Sequence, residues 1–67
     1  MIRLLVVAGI RLYREGLAQI LGSQPGMAVV ATAPDIGSLV EVLARVPADI
    51  VLLDMALPGA ISGIQSA

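Results

Sequence analysis

Hydrophobic and polar positions along this chain alternate between two periods. Ile2 to Val7 is an apolar run broken only by Arg3, and such a run reads as a strand. From Arg11 to Leu21 the spacing becomes helical, with Tyr13, Leu17, Ile20 and Leu21 on one face and Arg11, Arg14, Glu15 and Gln19 on the other. That spacing makes Tyr13 a core residue and leaves both arginines on a solvated face. Gly22 is a natural helix stop, and Ser23-Gln24-Pro25-Gly26 reads as a turn.

A second strand is expected over Met27–Ala31 and a second helix after it. Asp35 and Ser38 are both candidate caps for that helix, since Ser38 with Glu41 has capping-box spacing. Its buried stripe is expected to be Ile36, Leu39, Val40 and Leu43, with Glu41 and Arg45 forming an i,i+4 ion pair and Pro47 ending the helix. Ile50-Val51-Leu52-Leu53 then reads as a third strand, buried on both faces. Asp54 ends it, and Met55-Ala56-Leu57-Pro58-Gly59 carries a Pro-Gly turn signal. Asp49, just before this strand, is expected in a turn or facing solvent.

Strand, helix, strand, helix, strand with short connections predicts two βαβ units with right-handed crossovers. In a flavodoxin-like order the first strand lies between the second and the third. Ligands in such sheets bind outside the carboxyl ends of the strands, at the switch point between strands one and three. Ala8-Gly9 and Asp54 would then be neighbours. Taken alone, Asp54 suits a strand-terminating turn and a solvent-accessible functional carboxylate about equally well.

Composition narrows the classes. The chain has 67 residues, 58% of them hydrophobic and almost none aromatic, so its core must be aliphatic. One small domain is the most that this length allows. Four Arg, no Lys and a net charge of −1 leave no basic patch for nucleic acid and no polybasic membrane signal. The absence of Cys and His removes disulfides, thiolate zinc sites and imidazole catalysis. The uncharged stretch from Met55 to Ala67 is too short and too broken by Pro58, Gly59 and Gly63 to span a bilayer. Arg11 and Arg14 stand where a signal-peptide cleavage site would fall, so a cytoplasmic location is expected. Gly9 has no companion glycines at fingerprint spacing, and reads as a tight strand-to-helix turn rather than a dinucleotide loop.

Leu5-Val6-Val7, Arg11-Leu12-Tyr13-Arg14-Glu15-Gly16-Leu17, Asp49-Ile50-Val51-Leu52-Leu53-Asp54 and Leu57-Pro58-Gly59 together resemble the first half of a response-regulator receiver (CheY-like) domain. The helix segment resembles the subfamily with a C-terminal LuxR/NarL-type helix-turn-helix. The resemblance implies an α/β, flavodoxin-like (CheY-like) parallel sheet in βαβαβ order, truncated after the third strand, with residues 1–67 a partial receiver-like domain. It also implies that Asp54 is the phosphoacceptor position, served by a histidine kinase, and that the carbonyl of Ala56 would help hold Mg²⁺.

Two acidic residues usually follow the first strand in that family, and here Ala8 and Gly9 stand there. Mg²⁺ is held by carboxylates, water and phosphate oxygens, so Asp54 would be the only protein charge in the pocket. Phosphoryl transfer depends mainly on positioning and charge neutralisation, and loss of the metal removes the main aid. The segment Gly59-Ala60-Ile61-Ser62-Gly63 departs as well, with one extra residue and no acidic residue before its last glycine.

The expectation is a degenerate, truncated receiver of a two-component transcriptional regulator, with no enzymatic activity and no bound cofactor. It would act by protein–protein contact with a histidine kinase or another regulator chain, or with itself through an open sheet edge. It would bind neither nucleic acid nor membrane. One alternative is a small-ligand-binding or structural half-domain with an apolar cleft at Ala8, Gly9 and Ile10. The other is an active phosphoacceptor receiver using Asp54.

Overall fold

The computed structural model describes residues 1–54, 56 and 57. The element order is β1 (Ile2–Val7), α1 (Arg11–Gly22), β2 (Met27–Ala33), α2 (Ile36–Leu43) and β3 (Ile50–Leu53). The strands form one parallel sheet in the order β2-β1-β3, the expected α/β arrangement. Among the described residues, no helix is long and apolar enough to cross a membrane.

The sheet is centred on β1. Leu4, Leu5, Val6 and Val7 are buried, and Leu5 and Val6 are wholly so. A continuous apolar run suits a central strand covered on both faces. The run in β3 is as apolar but sits at the edge, where Ile50 and Leu52 are 48% and 42% exposed. Burial of β3 on both faces is therefore corrected: among the described residues neither helix packs extensively on it, and Ile50, Val51 and Leu52 stay exposed.

β2 runs two residues beyond its expected end, to Ala33, and pairs with β1 through a register shift. Leu4 pairs with Val29 and Leu5 with Ala31, so Val30 is the extra residue of a bulge. Without it, the strict two-residue period would put Val29 and Ala31 on one face. With it, Val29 lies against α1, near Gly22, while Ala31 packs with Leu5, Val7 and Ala33 beneath Leu39 and Val42 of α2. The turn into β2 uses Gly26 at φ 77°, where a side chain would be strained, and its carbonyl accepts from the Ile2 N–H at 2.7 Å.

Both helices are rotated from the expected faces. In α1, Arg14, Leu17, Ala18 and Leu21 are half-buried, whereas Tyr13 is 53% and Ile20 61% exposed. Tyr13 is thus not a core residue. Arg14 leaves the solvated face and donates from Nη1 to the Ala8 carbonyl at 2.9 Å. In α2, Leu39 and Val42 meet the core, whereas Val40 is 64% exposed and Leu43 also faces outward.

The cap of α2 is Asp35, whose side chain accepts from the Ser38 N–H at 2.7 Å. Ser38 is inside the helix as the donor, so the Ser38–Glu41 capping box does not form. The helix ends at Leu43, four residues before Pro47, so Arg45 lies past the last turn. The Glu41–Arg45 pair is absent among the described ion pairs, which are Arg3–Asp49 and Arg11–Glu15.

Candidate functional site

The parallel register brings the ends of β1 and β3 together. Val7 is opposite Leu53, and one step further the Asp54 N–H donates to the Val7 carbonyl at 3.0 Å. Asp54 therefore stands beside Ala8, at the C-terminal end of the sheet. Ala8 is buried, and its N–H donates to the Ala33 carbonyl at 3.2 Å on the β2 side. Gly9 and Ile10 then carry the chain over the sheet end into α1.

Asp54 organises the turn that follows it. Its Oδ1 accepts from the Ala56 N–H at 2.9 Å, and its carbonyl accepts from the Leu57 N–H at 3.1 Å. The side-chain bond two residues ahead is an Asx turn, a common reason for Asp at a strand end. Leu57 is thereby folded back towards the sheet and packs against the Leu5, Val7 and Ala33 cluster. A Cβ at Gly9 would lie 2.9 Å from the Leu57 Cδ2. The space that a side chain at position 9 would use thus holds an apolar side chain, and the expected cleft at Ala8, Gly9 and Ile10 is filled from the β3 side.

The described residues at this sheet end supply too few oxygen ligands to fit a bound Mg²⁺. This ion requires near-octahedral oxygen ligands at about 2.0–2.1 Å. Among the described residues that follow β1 and β3, Asp54 supplies the single carboxylate, and one of its oxygens already serves the turn. No group of three or more acidic or other metal-ligating side chains exists among the described residues. Ala56 is described through its N–H contact to Asp54. Met55 and the segment 58–67, which holds the Pro-Gly signal and the Gly59–Gly63 departure, lie outside the described residues.

The opposite end of the sheet carries an anchor that the residue pattern did not reveal. Asp49 Oδ2 accepts from both the backbone N–H and the Nε of Arg3, at 2.8 and 3.3 Å, and Oδ1 accepts from Nη2 at 3.2 Å. The Asp49 N–H donates back to the Arg3 carbonyl at 2.8 Å. Arg3 holds the Asp49 carboxyl below its ordinary range, mainly through the side-chain hydrogen bond. The only sequence signal was one unlike-charged residue at the start of each of two strands.

With this geometry in view, the family match is decisive: the response regulator receiver domain family matches residues 4–67. The chain belongs to that family. Curated relatives agree with the assignment. The receiver is 40% identical over 57 residues to a protein-glutamate methylesterase/protein-glutamine glutaminase of Anaeromyxobacter dehalogenans, covering 85% of this chain and 16% of that protein. It is 38% identical over 61 residues to a second such protein, from Geobacter metallireducens, covering 87% of this chain and 17% of that one. The chain spans about a sixth of the length of these relatives. No solved structure matches it.

Proposed function

We propose that this chain is a degenerate receiver module that regulates an effector through protein–protein contact, without Mg²⁺-dependent phosphorylation of Asp54. The observation that carries the reading is the pair Ala8 and Gly9 beside Asp54, where two metal-binding carboxylates would be needed. The partner is a histidine kinase or another regulator chain.

The resemblance of the Arg11–Leu17 segment supports an output in transcription, while the named relatives are methylesterase/glutaminases. In either setting the module itself does no chemistry and transmits state by contact. The test is genetic. Asp54→Asn in the natural regulator is expected to leave its output unchanged across inducing and non-inducing conditions. An output that collapses in Asp54→Asn contradicts the reading.

A second reading is an active phosphoacceptor. It is favoured by the half-exposed position of Asp54 at the C-terminal end of β3. It needs positive charge from a source other than a metal held at positions 8 and 9.

A further inference from the structure

We infer that Leu57, seated on Gly9, is an apolar latch closing the end of the β1–β3 pair, and that Asp54 is the turn residue positioning it rather than a cation ligand. The inference rests on the receiver reading and supplies its local cause.

Three observations converge. Leu57 Cδ2 lies 2.9 Å from where a Cβ at Gly9 would be, nearer than real Cβ contacts come, so a side chain at position 9 would displace the end of Leu57. The same side chain packs against the buried Leu5, Val7 and Ala33 cluster, so lifting it would expose apolar surface. Asp54 accepts from two successive described N–H groups of the turn, Ala56 at Oδ1 and Leu57 at the carbonyl.

Magnesium dehydrates reluctantly and keeps several waters in most protein sites. At this sheet end Ala8 and Gly9 offer it no side-chain oxygen, and Leu57 Cδ2 lies over Gly9. Asp54 Oδ1 is already engaged by the Ala56 N–H.

The carboxylate charge plays no part in the latch, because an amide oxygen accepts the same N–H. Asp54→Asn is thus a conservative variant, and Asp54→Ala removes the acceptor. Gly9→Ala adds the methyl group that Leu57 must give way to.

The experiment is a ¹H–¹⁵N and methyl NMR series on the protein with MnCl₂ as the probe. No saturable, selective broadening is expected at Gly9, Asp54 and Ala56. The Ala56 amide should exchange equally slowly in wild type and Asp54→Asn, and about fivefold faster in Asp54→Ala, the loss of one ordinary hydrogen bond. Gly9→Ala should shift the Leu57 methyl resonances. Saturable Mn²⁺ broadening at Asp54, equal exchange in Asp54→Asn and Asp54→Ala, or unmoved Leu57 methyls would each overturn the latch. Metal binding without phosphoryl labelling from acetyl phosphate sinks the latch alone, whereas Mg²⁺-dependent labelling at Asp54 also sinks the degenerate reading of the receiver.

Discussion

Arg3 and Asp49 join the first residues of the β1–β3 pair by four hydrogen bonds, three into the carboxylate and one from the Asp49 N–H. Among the described residues β3 is a four-residue edge strand, and this anchor ties its start to β1 in register. Both side chains are about half exposed, and solvent screening keeps the ion-pair part of the anchor weak.

Acid is expected to loosen this anchor. The folded-state pKa of Asp49 is lowered by Arg3, and that of Asp35 by the Ser38 N–H. A lowered folded pKa stabilises above the unfolded value, ~3.9, and the benefit is lost as pH falls through the folded value. Thermal melts should therefore be flat from about pH 5 to 7 and fall below about pH 4. Asp49→Asn should weaken that acid dependence, and an unchanged slope would remove Asp49 from the account.

The cap of α2 makes an asymmetric prediction. Asp35→Ala removes the acceptor that holds the Ser38 N–H, so α2 should fray and the melting temperature should fall. Ser38→Ala keeps its backbone N–H and should change the melting temperature little. Equal effects of the two substitutions would restore Ser38 as the cap.

Core and surface substitutions should separate sharply. Leu5 is fully buried at the centre of the cluster, and Leu5→Ala should cost about 2–5 kcal/mol in denaturant unfolding. Tyr13→Ser, on the exposed face of α1, should stay within about 0.5 kcal/mol of wild type. A Tyr13 effect as large as that of Leu5 would return Tyr13 to the core.

These contrasts mark what the residue pattern could and could not convey. Ile2–Val7 was legible as a strand because its run is apolar, and the order of elements followed from alternation of the two periods. Rotation of the helices was not legible: Tyr13 and Ile20 share a plausible helical stripe with Leu17 and Leu21, but only the sheet decides which edge of that stripe is covered. Val42 was passed over for Val40 for the same reason. The bulge at Val30 leaves no compositional trace.

At the site, adjacency of Ala8 and Asp54 was readable from the parallel topology. The seat of Leu57 on Gly9 was not, because it depends on the turn that Asp54 itself builds. Asp49 showed how little a lone acidic residue reveals, since its partner Arg3 is 46 positions away.

The most direct test of the central claim is intact-mass measurement after incubation with acetyl phosphate and Mg²⁺, with Asp54→Asn as control. The account predicts no phosphoryl mass on the wild-type chain. A phosphoryl mass that requires Mg²⁺ and disappears in Asp54→Asn would contradict it.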